Sequence, residues 1–164
     1  MGSPYNRIWD SAFMDHGGGV WNIQNKAFGV NANGTDIDDT ALEAVLSECD
    51  AGDTIVFPPA TYLFDAPVLS KGVTLHGPGA VFKKAATTVG HMFAQTEGDL
   101  VDGLRVIGIE FNMNRAAFAN GNTVSPFFLV RARNLLFRDI YVRDGIEEGL
   151  KRIGRFFQTA SAAP

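Results

Sequence analysis

The chain has 164 residues, 46% hydrophobic and 20% charged, which suits one folded domain and not a disordered segment. Its formal net charge of -4 argues against nucleic acid as the main partner. No run of about 18 apolar residues occurs, so no membrane-spanning helix is expected, and a single cysteine rules out a disulfide framework or a Cys-based zinc site within one chain.

The first 25 residues have no clear period. Trp9, Phe13 and Trp21 surround the run Asp15-His16-Gly17-Gly18-Gly19. Met1 to Asn6 lacks a charged region followed by an apolar one, so no signal peptide is expected. Exposed aromatics need something to cover them, and packing is favoured over sugar stacking. Asp15-His16 has the chemistry of an acid/base or metal pair, but one such pair beside three glycines defines no site.

A helix is expected over 38–50. Asp38 or Asp39 suits the N-cap, where a short carboxylate accepts bonds from free first-turn N–H groups and faces the positive end of the dipole. Thr40 and Glu43 have capping-box spacing. Leu42, Val45, Leu46 and Cys49 recur on one face, so Cys49 is expected to be a buried small hydrophobe. Asp36, Asp38 and Asp39 could also be read as calcium ligands, but such a loop needs more oxygens at regular spacing, and capping is favoured. After Ala51-Gly52-Asp53 the alternation of Ile55 and Phe57 with Thr54 and Val56 predicts a strand. Pro58-Pro59 forces a corner, and Tyr62-Leu63-Phe64 starts the next strand.

The sequence then repeats. Val73-Thr74-Leu75-His76-Gly77, Leu104-Arg105-Val106-Ile107-Gly108 and Leu135-Leu136-Phe137-Arg138-Asp139 are each 31 positions apart, as are Ile109-Glu110-Phe111 and Ile140-Tyr141-Val142. A fixed period built from short alternating strands marks a solenoid. The expected inward residues are Val73, Leu75, Leu104, Val106, Ile109, Phe111, Leu135, Phe137, Ile140 and Val142. Two turn-rich stretches, Ala85 to Gly98 and Asn112 to Ser125, are expected to be protruding loops. Near the C-terminus Ile146, Leu150, Ile153 and Phe157 share a helical face, and the pairs Glu147/Lys151 and Glu148/Arg152 have the favoured acidic-first order. Gly149 and Gly154 each weaken such a helix by about 1 kcal/mol. In a rival reading 144–151 starts another coil.

Phe28-Gly29-Val30, Thr35-Asp36-Ile37-Asp38-Asp39-Thr40-Ala41-Leu42 and Phe57-Pro58-Pro59-Ala60-Thr61-Tyr62 together resemble the N-terminal segment of the pectate-lyase superfamily. That segment reads close to F-G-A-x-G-D-G-x-T-D-D-T-x-A-I … F-P-P-G-T-Y. Ile37 stands where threonine is common, and Ala60 where glycine is common. The resemblance implies an all-β solenoid: a short right-handed single-stranded parallel β-helix whose open end is plugged by the capping helix. The expected organisation is an aromatic and Gly-rich segment over 1–25, a β-helix over 26–145 and an amphipathic helix with a tail over 146–164.

The superfamily includes pectate lyases, polygalacturonases, epimerases and phage tail spikes that cut surface polysaccharides. Its polygalacturonase-like motifs are not present as a set, and no pectate-lyase calcium motif is recognisable. The expected role is therefore a non-catalytic structural or attachment module of the tail-spike kind, homotrimeric and virion-associated, with tail proteins and a surface polysaccharide as partners. The alternative is a polysaccharide lyase or glycoside hydrolase acting on acidic polysaccharide. Its catalytic candidates are Glu110, Asp139 and Asp144, with Arg131, Arg133 or Arg138 binding acidic sugars. No metal or other cofactor is expected.

Overall fold

The computed structural model describes residues 18–87, 90–95, 98–118, 125–127, 129 and 131–145. Trp9, Phe13, the Asp15-His16 pair and the expected C-terminal helix lie outside the described residues.

The chain winds as a parallel β-helix. The first sheet contains β1 (Val20–Asn22), β3 (Thr54–Val56), β5 (Thr74–His76), β9 (Arg105–Ile107) and β13 (Leu136–Arg138), in that order. The second stacks β2 (Asn33–Ile37), β4 (Thr61–Phe64), β6 (Val81–Lys84), β10 (Glu110–Asn112) and β14 (Tyr141–Arg143). All pairings are parallel, so each coil contributes one strand to each sheet and returns one rung further on. The 31-residue echo is the register itself: Leu75 pairs with Val106, Val106 with Phe137, and Glu110 with Tyr141. Coiling starts before residue 26, because Val20–Asn22 pairs with Thr54–Val56.

Parallel stacking lines up the inward side chains. One column runs Trp21, Ile55, Leu75, Val106 and Phe137, and another runs Tyr62, Phe82, Phe111 and Val142. In both columns every residue before the last rung is fully buried. Val73, Leu104 and Ile109 are buried as expected, whereas Leu135, Phe137, Ile140 and Val142 are only half-buried. Among the described residues, the last rung has another coil on one side only.

The two stretches expected to protrude are partly built into the wall of the β-helix. His91–Phe93 (β7) pairs with Ser125–Phe127 (β11), and Met92 and Phe93 are completely buried. Val101–Asp102 (β8) pairs with Ala132–Arg133 (β12). These strands have two or three residues and lie among Thr, Gly and Asn, so no alternation announces them. The rings Phe64, Phe82, Phe93, Phe111 and Phe127 join the sheets across the interior, with centroids 5.0 to 5.8 Å apart where they touch.

Corners need backbone that turns sharply. Gly103 and Gly108 take positive φ (84° and 72°), and their echoes one coil later, Asn134 and Asp139, do the same (55° and 53°). Asn and Asp tolerate this region better than other side chains do. Gly72 is required for space: a Cβ there would sit 1.6 Å from the Asp102 carbonyl oxygen.

The helix α1 spans Asp39–Glu48 and buries Ala41, Leu42, Val45 and Leu46, with Cys49 buried just after it. It lies against the 3-10 turn Lys26–Phe28 and closes the core over Trp21, Ile23 and Phe28. Asp38 holds the N-cap position, but its carboxylate does not cap. It accepts from the N–H groups of Asn31 (2.8 Å), Ala32 (3.4 Å) and Leu63 (3.2 Å). Asp39 accepts from Asp65 (2.9 Å) and Ala66 (3.1 Å). Of these donors the Leu63 N–H is buried, whereas first-turn N–H groups can reach water. The adjacent acids thus tie the helix start to the next coil. The calcium reading does not fit this geometry, since Asp36 meets Asn33 instead (2.7 Å).

Candidate functional site

The outward positions of the second sheet follow directly from its register. Val81, Glu110 and Tyr141 form one column; Lys83, Asn112 and Arg143 form the next. At the C-terminal end of this face lies an open groove of about 590 Å³. Asn112, Asn114, Arg115, Phe118, Asp144 and the backbone of Gly145 are among its lining. Asn114 and Asp144 both sit at positive φ (51° and 53°), so the groove is built where two consecutive coils leave the sheet.

Arg143 organises the charges here. Its Nε donates to Glu110 and its Nη1 to Asp144 (2.6 Å). The hydrogen bond to Glu110 is the main reason the guanidinium is held above its ordinary range, outweighing partial desolvation, with Asp144 adding to it. Asn114 is positioned by its own contacts: its N–H donates to Asn112 Oδ1 (2.8 Å) and its Nδ2 to the Lys84 carbonyl (3.0 Å). Lys84 is itself fully buried and paired with Asp65 at 2.7 Å, which fixes the wall beneath the groove.

Of the residues expected from sequence, Glu110 and Asp144 are brought together through Arg143. Asp139 is not with them. It lies on the exposed corner between β13 and β14, 3.5 Å from Arg138 and 77% exposed. Arg138 is a surface neighbour of Asp139, outside the groove lining. Arg131 and Arg133 belong to the β12 side of the coil. Arg131 bonds the Gly98 carbonyl (2.8 Å), and Arg133 bonds Asp102 through Nε and Nη2 (2.9 and 2.8 Å). Arg133 and then Asn134 hold the Asp102 carboxyl below its usual range.

Arg143 and Arg115 escaped the sequence reading. The signal for Arg143 was available: the same 31-residue step that aligns Phe111 with Val142 places Arg143 beside Asn112 and one position from Asp144. Arg115 carries no such signal, because it lies in the 3-10 turn Arg115–Ala117 between strands.

The arrangement can hold a polar, anionic polymer. Amide groups and the Arg115 guanidinium match hydroxyl, carboxylate or sulfate oxygens, and Phe118 in the lining and Tyr141 on the same sheet offer ring faces. Tyr141 is 62% exposed. Acid/base chemistry is less well served, because both nearby carboxylates are engaged by one guanidinium. Among the described residues no group of three His, Cys, Asp or Glu side chains converges on a metal site.

No family model matches the sequence, and no curated protein matches it. Solved structures do. The A-module of the mannuronan C-5 epimerase AlgE6 of Azotobacter vinelandii matches with a TM-score of 0.62 at 23% identity, over 74% of this chain and 37% of that one. An iota-carrageenase complexed to iota-carrageenan fragments matches with a TM-score of 0.60 at 19% identity, over 75% of this chain and 28% of that one. The likeness is one of fold, and the chain spans between a quarter and two-fifths of the length of these structures.

Proposed function

We propose that the chain is a non-catalytic module that attaches to an anionic polysaccharide through the groove at the end of the second sheet. The observation that carries this reading is Arg143 clamping Glu110 and Asp144 beside a groove lined by Asn112, Asn114 and Arg115. The clamp occupies the two carboxylates that chemistry would need, and Arg115 is the cation that lines the groove. Two further observations support it. The fold is that of proteins named for acting on mannuronan and complexed with iota-carrageenan. The residues Phe28-Gly29, Asp38-Asp39-Thr40 and Phe57-Pro58-Pro59 resemble the pectate-lyase superfamily. The narrower form of the proposal is a homotrimeric phage tail-spike module working beside other virion tail proteins. Sedimentation equilibrium showing a stable monomer would remove that narrower form.

The test is affinity electrophoresis in gels containing alginate, carrageenan, pectate or neutral dextran. Retardation is expected in the anionic gels only, weakened about tenfold in Arg143→Ala, a loss of roughly 1.4 kcal/mol. Equal retardation in dextran, or none lost on substitution, overturns the proposal.

A second reading has one specific observation in its favour: Glu110 and Asp144 share a guanidinium, as a pair of reacting carboxylates with separated roles could. It makes the chain a lyase or hydrolase. Reducing ends or unsaturated uronates that vanish in Glu110→Gln would establish it.

A further inference from the structure

The outward face of the second sheet continues past the groove. Asn112, which lines the groove, pairs with Lys83 on the preceding rung, and Lys83 pairs in turn with Leu63. Thr61, Val81, Glu110 and Tyr141 run alongside as the second outward column. Val81, Lys83 and Asn112 are half-buried, with side chains on the outer surface of the sheet.

Charge is distributed unevenly over this face. Its carboxylates next to the groove, Glu110 and Asp144, are both taken up by Arg143. Lys83 and Arg115 are different: among the described residues neither forms an ion pair. The Lys83 ammonium lies 3.4 Å from the Gly34 carbonyl of β2. Since β6 pairs with β4 and β4 with β2, the side chain reaches past β4, away from the groove. At about 4.8 Å per rung, the ammonium stands roughly 10 Å from the rung of Asn112. Arg115 lies on the other side of Asn112, three positions on, and is exposed. Two unpaired cations thus flank an amide across several rungs. Beyond Lys83 the exposed Asp36 of β2 repels a polyanion and ends the path. Along the strand direction a polyanion would instead meet Glu110, already bound by Arg143, and the corner at Gly108.

We infer that an anionic polysaccharide lies along the coil axis, from Arg115 in the groove over Asn112 to Lys83, and not along the strands. The inference rests on the polysaccharide reading and adds to it a direction, a length and a second cationic contact. Lys83 meets a carboxylate or sulfate several sugar units away from the one held by Arg115. Val81 and Tyr141 offer apolar surface to the sugar rings beside that line.

Anisotropy of fluorescently labelled alginate and carrageenan oligomers, two and six units long, tests this on the full chain at low salt. The six-unit oligomers are expected to bind more tightly than the two-unit ones. Arg115→Ala should weaken both lengths. Lys83→Ala and Lys83→Gln should weaken the six-unit oligomers about threefold, as befits an exposed ion pair, and leave the two-unit ones unchanged. Lys26→Ala, the same change of charge in the turn beneath α1, should alter neither. If Arg115→Ala weakens binding and the Lys83 variants do not, the polysaccharide reading stands and the axial path is overturned. A Lys83 effect equal for both lengths, or matched by Lys26→Ala, overturns the path as well, since net charge would then account for it. Binding of no oligomer of either length overturns the reading and the path together.

Discussion

Phe82 is the residue on which the two long sheets and the third wall converge, and its removal should be the most costly single truncation in the chain. It is completely buried, and five rings surround it: Phe57 at 4.7 Å, Phe64 at 5.0 Å, Phe111 at 5.7 Å, Phe93 at 5.8 Å and Tyr62 at 5.9 Å. Phe→Ala in a core costs about 3–5 kcal/mol through lost transfer energy and the cavity left behind. Each edge-to-face pair adds about 0.5–1.5 kcal/mol, not additively, so the upper end, near 5 kcal/mol, is expected. The coil cannot collapse to fill the gap, because its rungs are held by parallel ladders on both sides. A domain of this size is stable by about 5–15 kcal/mol, so Phe82→Ala should be marginal at 37 °C. Urea unfolding followed by far-UV circular dichroism measures the loss, and Phe82→Leu should recover more than half of it. A loss below about 2 kcal/mol with an unchanged m-value would refute the idea that this ring ties the walls together.

Asp53 makes a second test. Its buried carboxylate accepts from Gly19 N–H, Trp21 Nε1 (2.8 Å) and Asp50 N–H (3.0 Å). Asp53→Ala leaves these donors without a partner, at about 1–3 kcal/mol each at most, so a total loss near 3 kcal/mol and a red-shifted tryptophan emission are expected; unchanged emission would count against the contact. Tyr62 sets a pH limit. Burial is the main cause pushing its phenol up to about 12 from 10.0. The fold favours the neutral form, so its contribution is intact below pH 10 and is lost as pH rises from 10 towards 12, on the order of 2 kcal/mol. Denaturation midpoints across that window should fall in the wild type and fall less in Tyr62→Phe; identical slopes would show that the phenol does not titrate with the fold.

The sequence alone determined that the chain coils. Short alternating strands recurring every 31 residues can bury their apolar sides only by stacking, so period and inward set together specified a solenoid and its register over the last coils. The helix was equally legible, because Leu42, Val45 and Leu46 satisfy a periodicity local to the segment. What the sequence could not decide depends on partners distant along the chain. Asp38 was legible as a cap, yet it serves Asn31, Ala32 and Leu63, because only the closed coil brings these backbone donors, the buried Leu63 N–H among them, within its reach. His91–Phe93 became a strand only through Ser125–Phe127 beside it, since three residues hold too little pattern to specify a wall. The candidate site has the same origin. Glu110 and Asp144 were visible as carboxylates, but their common engagement by Arg143 exists only because one turn of the coil lays Asn112 against Arg143. Local periodicity is written in neighbouring residues; ion pairs across rungs are set by the length of the turn that brings the chain back.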